Sequence, residues 1–460
     1  MTDPAVLAAL RAAVAELMPQ AVAELTELVA IPSVSWPAFD ASHVRHSAEA
    51  IAGLAASTGV FAEVGVHTAA IAESAERGQP AVLAVRAAEA GRRRVVLYAH
   101  HDVQPVGDES LWLSPPFVAT ERDGRLYGRG TADDKAGVVT HLTALRALRR
   151  VLGDELGLGV TLFVEGEEEY GSRSFPQFLA DHRDALDADL IVVADSGNWD
   201  SDTPGITVSL RGNARFTLRV RTLAHALHSG MFGGAVPDAM LATIKLLGTL
   251  WDADGAVAVP GLRSYDLATP PYDEARLRQE TDLPAGTSPI GRGEYLARIW
   301  NQPAITVTGI DAPSVAAASN TLLPEVSVVV SARVAPGQDA HEAFAAIRTH
   351  LEARVPFGAE LEFTDVDCGQ GFLAEDGWAG ELAREALAEG YGTAPVALGV
   401  GGSIPFIADL AAEFPDAAIL VTAVLDPPAA PHSPNESLHL RTFEHAILAE
   451  ALLLHRLATS

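Results

Sequence analysis

The stretch Arg94-Val-Val-Leu-Tyr-Ala-His-His-Asp-Val-Gln-Pro105 decides the fold of this chain. Its apolar part, Val95 to Ala99, predicts a buried strand. The polar cluster His100, His101 and Asp102 follows directly. Open α/β sheets keep their functional groups at the carboxyl ends of such strands. The sequence therefore predicts an α/β fold with a functional site after this strand, and a solvated turn is the alternative.

Side chains alternate along a strand, so we expect His100 and Asp102 to face one way and His101 the other. A carboxylate two residues from a histidine can fix the ring or tune its surroundings, as the partners of metal ligands do. His100 is therefore a candidate metal ligand, with Asp102 beside it.

Two further apolar strands also end in carboxylates. The strand Val160–Val164 runs into the acidic segment Glu165–Gly171, and the strand Leu190–Ala194 runs into Asp195. Consecutive carboxylates repel one another unless a cation or protons compensate them. One of the glutamates at positions 167–169 can bind a metal while a neighbour acts as a general base. The residues alone leave that choice open, and a solvated acidic face is the alternative.

A glycine-rich loop carries Asp133 and Asp134 just before a helix predicted from Val138 to Leu148. Acidic residues at this position are ordinarily caps that interact with the helix dipole. Capping alone does not explain Gly128 and Gly130, which would let the backbone close around a buried carboxylate. An aspartate of this loop is therefore a candidate ligand.

A fourth apolar strand, Ile419–Val424, is followed by a proline-rich loop and His432. Imidazole and carboxylate ligands suit zinc, with manganese and cobalt as alternatives. Two histidines, two aspartates and one glutamate hold two metals if one carboxylate bridges them. Metals ~3.5–4 Å apart clamp a hydrolytic water and polarise a carbonyl group.

Length and composition limit the class of protein. The chain has 460 residues, which favours two domains, and 60 acidic against 32 basic residues give a formal charge of −28. That charge argues against nucleic acids and anionic membranes as partners. We find no signal peptide and no segment that is long and apolar enough to span a membrane. The single cysteine, Cys368, favours a reducing compartment, so we expect a cytoplasmic protein.

The chain resembles the di-zinc amidohydrolase and peptidase family of carnosinase-type dipeptidases, glutamate carboxypeptidase, aminoacylase and succinyl-diaminopimelate desuccinylase. Asp195 is typical of the dipeptidase branch. The matching segments follow the order of the family and cover nearly the whole chain. They are Ala99–Pro105, Gly128–Lys135, Glu165–Ser172, Asp195, Leu227–Gly230, Gly401–Pro405 and Pro431–His432.

This resemblance implies two divalent metal ions, with zinc expected and manganese or cobalt as alternatives. Asp133 would bridge both metals. Glu168 would be the general base that takes a proton from the bridging water and passes it to the leaving amine, and Asp102 would orient or tune the His100 side of the site. The remaining ligands would be His100 and Asp195 for one metal and Glu169 and His432 for the other.

The resemblance also implies a catalytic α/β domain in two parts, residues 1–205 and 369–460, with a mostly parallel sheet flanked by helices. Residues 206–368 would form an inserted α+β lid and dimerisation domain. Predicted strands and helices alternate in this middle part, as such a domain requires. We therefore expect a homodimer.

Four residues outside the metal site carry expected roles from the resemblance. His228 would reach the active site of the partner subunit and stabilise the oxyanion; a turn-capping histidine is the alternative. Arg333 would bind the carboxylate of the substrate through its guanidinium group; the alternative is that Arg333 is an ordinary exposed arginine on a strand. Gly402 and Ser403 would contact the substrate.

These residues predict a metallopeptidase that cleaves the amide bond of a dipeptide or short peptide with a free C-terminal carboxylate, as a dipeptidase or carboxypeptidase does. Gly399 and Val400 stand where carnosinase-type relatives have Arg-Glu, whose acidic residue helps to read the free amine of the substrate. The alternative is therefore an N-acyl amino acid deacylase. A catalytically inactive metal-binding scaffold is less favoured, because a scaffold needs ligands but no base such as Glu168.

Overall fold

The computed structural model describes residues 2–459 except 73, 155, 266–268, 375–376 and 403–404. The chain divides into two compact units. The first comprises Met1–Val208, Ala374–Leu398 and Asp409–Ser460, and the second comprises Ser209–Leu373 and Gly399–Ala408. The domain limits inferred from the sequence stay a prediction.

Helices and strands are interspersed along the chain. The helices are α1 (Pro4–Val29), α2 (Ala41–Ser57), α3 (Lys135–Leu152), α4 (Phe175–Asp181), α5 (Arg183–Leu186), α6 (Ser229–Phe232), α7 (Ala239–Leu247), α8 (Glu274–Thr281), α9 (Tyr295–Trp300), α10 (Ala340–Glu352), α11 (Trp378–Tyr391), α12 (Pro405–Glu413) and α13 (Leu440–Thr459). The strands are β1 (Glu63–His67), β2 (Ala81–Arg86), β3 (Arg94–His100), β4 (Thr120–Arg122), β5 (Arg125–Tyr127), β6 (Gly159–Glu165), β7 (Leu190–Val193), β8 (Gly205–Leu210), β9 (Gly212–Arg221), β10 (Leu227–His228), β11 (Ala304–Asp311), β12 (Thr321–Leu322), β13 (Glu325–Val334), β14 (Glu360–Gly369), β15 (Phe372–Leu373), β16 (Val396–Val400), β17 (Ala418–Val421) and β18 (Ser437–His439).

The first unit is built around a mixed sheet with the strand order β1-β2-β6-β3-β7-β17-β8. The four central strands, β6, β3, β7 and β17, are parallel, and the flanking strands pair with them in antiparallel fashion. Every residue of β6 and β7 is buried, as expected for strands covered on both faces. The predicted α/β class is confirmed, and these four strands form a parallel part of its sheet.

Helix α3 packs against both α1 and α13 in the core of this unit. By length and composition α1 is apolar enough to cross a membrane, so the expectation that no segment meets this criterion was wrong. The core helix of a globular unit passes the same test. In this structure Leu10, Val14, Leu17 and Leu25 of α1 are buried in the core.

The second unit contains an antiparallel sheet with the strand order β11-β13-β9-β14. Buried and half-buried residues alternate along β13, because one face of the sheet is covered by α7 and α10. Strand β14 was not predicted. Its Asp365 and Asp367 interrupt the apolar pattern, and the register with β9 shifts between Thr364 and Asp367.

Candidate active site

The carboxyl edge of the parallel strands carries the predicted metal ligands. His100 is the last residue of β3 and pairs in register with Glu165, the last residue of β6. Asp195 follows β7, Asp133 lies just before α3, and His432 lies between β17 and β18. Because these strands run in the same direction, their carboxyl ends bring together side chains that are far apart in the sequence.

The carboxylate of Asp133 lies between two histidines. Its Oδ1 atom is 3.1 Å from Nε2 of His100, and its Oδ2 atom is 3.0 Å from Nε2 of His432. A carboxylate in this position would be able to offer one oxygen to each of two cations held with these histidines.

Three further carboxylates lie around this arrangement, one beside His432 and two beside His100. Oε2 of Glu169 is 3.2 Å from Nε2 of His432. Oδ2 of Asp195 and Oε2 of Glu168 each lie 3.9 Å from Nε2 of His100. Two groups therefore have their ligand atoms within 4.8 Å of one another, namely His100, Glu168 and Asp195, and Asp133, Glu169 and His432.

The electrostatics of the cluster favour a cation. Burial raises the pKa of Glu168 well above its ordinary value, and burial raises the pKa of Asp195 to about 7. Burial also raises the pKa of Glu169, and Asp133 adds to this effect. Burial acts in the same direction on Asp133, but the hydrogen bonds with His100 and His432 outweigh it and lower its pKa. Several carboxylates thus share a space in which they repel one another.

These residues fit divalent metal ions. Two imidazole nitrogens and several carboxylate oxygens converge, which is the donor set of zinc and of manganese or cobalt. A positive ion between the carboxylates would relieve the repulsion that raises their pKa values.

Asp102 organises the acidic segment after β6. Its Oδ1 atom accepts a hydrogen bond from the backbone N–H of Glu168 and its Oδ2 atom one from that of Glu169, both at 3.1 Å. Ser35 Oγ donates to the same carboxylate at 2.7 Å. Nδ1 of His100 lies 3.1 Å from the main-chain oxygen of Asp102 and 3.4 Å from its carboxylate. Asp102 therefore contacts both the histidine and the glutamates.

The three consecutive glutamates have different environments. Glu167 is buried, and its Oε1 accepts hydrogen bonds from the N–H and the hydroxyl of Ser174 at 2.7 and 2.5 Å. Its Oε2 accepts one from the N–H of Gln79 at 3.2 Å. Only Glu168 and Glu169 of this run belong to the two ligand groups.

Two residues near the site were missed by the sequence reasoning. Gln104 donates from Nε2 to Oε2 of Glu169 at 2.7 Å. Lys135 is fully buried and donates to the main-chain oxygens of Leu28 and Ile31 at 2.8 and 2.7 Å, which ties the start of α3 to the end of α1. Both residues stand inside the segments that carry the resemblance, but a single sequence does not show which side chains point inward.

His101 and His141 do not belong to the two ligand groups, and both have internal partners. Nε2 of His101 lies 2.9 Å from the main-chain oxygen of Pro80, and burial lowers its pKa to about 4. His141 lies between Glu450 at 2.8 Å and the main-chain oxygen of Tyr98 at 2.9 Å.

The other predicted residues lie in the second unit. His228 is exposed, and its Nδ1 accepts a hydrogen bond from the N–H of Gly230 at 3.0 Å, which is the turn contact given as the alternative. Arg333 is half-buried on β13, and Gly402 is half-buried. Ser403 lies outside the described residues.

Arg211 is a further cation of this unit that the sequence reasoning missed. Its Nε donates to the main-chain oxygen of Gly401 at 2.9 Å, and its Nη1 donates to the main-chain oxygens of Arg298 and Gln302 at 3.4 and 3.2 Å. Burial lowers the pKa of Arg211 to about 10, and the charge of Arg333 contributes to this shift. Arg211 therefore lies against the loop that contains Gly402, and its charge interacts with that of Arg333.

Known structures share this fold. Human carnosine dipeptidase 1 has a TM-score of 0.80 at 24% identity over 100% of both chains. A metallo-carboxypeptidase of family M20 from Sulfolobus solfataricus has a TM-score of 0.78 at 21% identity over 96% of this chain and 99% of the other.

Sequence comparison identifies relatives at higher identity. The cysteinylglycine-S-conjugate dipeptidase of Corynebacterium striatum is 35% identical over 366 residues, covering 78% of this chain and 80% of that protein. The beta-Ala-His dipeptidase of Rattus norvegicus is 29% identical over 381 residues, covering 78% of this chain and 76% of that protein. The model of Peptidase family M20/M25/M40 matches residues 96–456. This chain therefore belongs to peptidase family M20/M25/M40, a family of metallopeptidases.

Proposed function

We propose that this metallopeptidase hydrolyses dipeptides or short peptides with a free C-terminal carboxylate. One observation carries the proposal. Asp133 faces both His100 and His432, while Oε2 of Glu168 lies 3.9 Å from the same His100 nitrogen, with a pKa raised by burial. The arrangement provides ligands for two cations and, in addition, a carboxylate whose raised pKa suits proton transfer.

The proposed ligands are His100 and Asp195 for one cation and Glu169 and His432 for the other, with Asp133 shared. The cations are proposed to be zinc, with manganese or cobalt as alternatives. When bound, they polarise the scissile carbonyl group and lower the pKa of a water molecule.

Glu168 is the proposed general base. It accepts a proton from the attacking water and delivers the proton to the nitrogen of the leaving amine as the C–N bond breaks. Asp102 holds the backbone of Glu168 in place through its 3.1 Å hydrogen bond, so the base does not need to reorganise during the reaction.

The substrate carboxylate is proposed to bind Arg333, with Gly402 and Ser403 contacting the rest of the substrate. The charge of the nearby Arg211 supports this proposal, because two like charges close together favour an anion between or beside them. Arg211 donates its described hydrogen bonds to main-chain oxygens, which leaves its positive charge to act on such an anion.

We also propose a homodimer in which His228 of one protomer stabilises the oxyanion in the active site of its partner. The exposed position of His228 supports a role outside its own core. A cytoplasmic location is part of the same proposal, supported by the presence of a single cysteine.

The second candidate is an N-acyl amino acid deacylase. Gly399 and Val400 favour it, because neither side chain can pair with the ammonium group of a free N-terminus. The same ligands and the same base would serve this reaction, so the two candidates differ only in the group attached to the amide carbonyl.

The deciding experiment uses paired substrates with the zinc- or manganese-loaded protein. Dipeptides with a free amine are compared with the same dipeptides after N-acetylation, and kcat/KM is measured for each. Preference for the free dipeptides supports the dipeptidase proposal. Preference for the acetylated set contradicts it and favours the deacylase, whereas hydrolysis of neither set by a metal-loaded protein contradicts both.

A further inference from the structure

A buried carboxylate outside the proposed ligand set lies behind the shared aspartate. Glu436 is fully buried. Its Oε1 atom accepts hydrogen bonds from the backbone N–H groups of Gly130, Ala132 and Asp133 at 3.0, 3.0 and 3.1 Å. Its Oε2 atom lies 2.6 Å from Nη1 of Arg129. The loop that ends in Asp133 therefore wraps around this one carboxylate, as backbone N–H groups do around an anion.

Glycine at position 130 makes this wrapping possible. Gly130 has a φ of 82°, in the left-handed region that favours glycine. A Cβ atom there would lie 2.7 Å from a methyl group of Val103. The loop is thus shaped to point its N–H groups toward Glu436.

Glu436 also ends the loop that carries His432. Its main-chain oxygen accepts a hydrogen bond from the N–H of Gly128 at 3.0 Å, and the next residue, Ser437, pairs with Tyr127 at the start of β18. Glu436 therefore joins the Asp133 loop to the His432 loop through both its side chain and its backbone.

The His432 loop needs such an anchor. Ala430, His432 and Asn435 have φ angles of 52°, 60° and 65°, which are disfavoured for residues other than glycine. Conformations of this kind persist only where the surroundings hold them. At the other end of the loop, Asp426 forms a bidentate ion pair with Arg125, in which Nη1 and Nη2 of the arginine donate to the carboxylate oxygens at 2.7 and 2.6 Å.

We infer that Glu436 is a positioning residue for metal binding, which aligns Asp133 and His432 by fixing the two backbone segments that supply them. Arg129 compensates the charge of Glu436, so the residue acts through geometry rather than by adding negative charge to the site. The third member of this ligand group, Glu169, is held separately by Asp102 and Gln104. The inference rests on the ligand set proposed above.

The test is titration of the metal-free protein with Co²⁺, followed by visible absorption and calorimetry without substrate. In Glu436→Gln, the amide NH₂ faces either Arg129 or the backbone N–H groups, so a donor opposes a donor. Loss of a group that orients metal ligands weakens metal affinity by about 10–100-fold. We expect a weakening of that size in Glu436→Gln and a smaller one in Glu436→Asp, which keeps the charge but shortens the side chain.

Glu450→Gln is the matched control. Glu450 is also a buried glutamate in an ion pair, with His141 at 2.8 Å, but it contacts none of the proposed ligands among the described residues. We expect this variant to bind Co²⁺ as the parent protein does, even if its thermal stability falls.

Three results would overturn the inference. One is unchanged Co²⁺ affinity in folded Glu436→Gln, or in Glu436→Asp should the glutamine variant not fold. Another is an equal loss of affinity in Glu450→Gln, which would show that lowered stability alone is the cause. If the parent protein binds no Co²⁺, the proposed ligand set fails and the inference fails with it. Because no substrate is present, the result does not depend on which amide bond the enzyme cleaves.

Discussion

Asp102 holds Glu168 by its backbone, with 3.1 Å between Oδ1 of the aspartate and the amide nitrogen of the glutamate. The second oxygen of the same carboxylate holds the neighbouring residue Glu169 at the same distance. One buried side chain, two residues after β3, therefore sets the position of the proposed base and of a proposed ligand on the segment after β6.

The variant Glu168→Ala tests the role of the base. We expect kcat to fall by about 10²–10⁴-fold, because proton transfer by a positioned side chain contributes that much. Metal content, measured by elemental analysis after dialysis, is expected to stay near that of the parent protein. Normal turnover in this variant would exclude Glu168 as the base.

Replacement of Asp102 tests its hold on the two glutamates. In Asp102→Asn one oxygen becomes an NH₂ group, which cannot accept the hydrogen bond from Glu168 or Glu169. We expect kcat/KM to fall by about 10–100-fold. Ser35→Ala is the control, since it removes only the hydroxyl donor to Asp102 and leaves both glutamate contacts. Equal losses in the two variants would argue against this role of Asp102.

Arg333→Met tests carboxylate recognition. A hydrogen bond to a charged group contributes about 1.5–3 kcal/mol, so KM for a dipeptide is expected to rise by roughly 10–100-fold. The corresponding dipeptide amide lacks the carboxylate, and its kinetics are expected to change little. If the variant affects the acid and the amide equally, Arg333 does not read the carboxylate.

Mixing two inactive variants tests whether His228 acts across a dimer. His228→Ala and Glu168→Ala are unfolded, mixed in equal amounts and refolded together. If His228 serves the partner, each mixed dimer has one complete site, and random pairing restores about one quarter of the parent activity. If His228 serves its own protomer, no mixed dimer has a complete site and no activity returns.

The ion pair of Asp426 with Arg125 predicts a pH-dependent contribution to stability. Burial acts to raise the pKa of Asp426, but the hydrogen bonds with Arg125 outweigh it, so the pKa lies below 3.8. A carboxylate with a lowered pKa stabilises the fold above its unfolded-state pKa, and this contribution is lost as the pH falls through the folded-state value. In Asp426→Asn we expect the free energy of unfolding to drop by about 3 kcal/mol at neutral pH.

Denaturant titration of both proteins across a pH series checks this prediction. The difference in the free energy of unfolding between parent and variant should shrink as the pH falls below 3.8. A difference that stays constant down to acid pH would show that the charge of Asp426 is not its cause.

Much of the first unit was readable from the sequence because its central strands are continuous apolar runs that end in polar residues. The run before His100 predicted β3, and the runs before Glu165 and Asp195 predicted β6 and β7. Parallel strands share one carboxyl edge, so these polar ends were expected to meet. The antiparallel strands at the edge of the sheet were not expected. The direction in which an edge strand pairs does not change its pattern of apolar residues, so the sequence does not reveal it.

The sequence by itself determined which residue types gather at the edge of the sheet, because local periodicity places them at strand ends. Tertiary structure alone decided that Glu167 binds Ser174 while Glu168 and Glu169 face the histidines. It also decided that Glu436 meets Gly130 across 306 positions of the chain. Contacts of that range depend on how the finished fold brings two loops together, and local sequence does not encode which buried polar groups become partners.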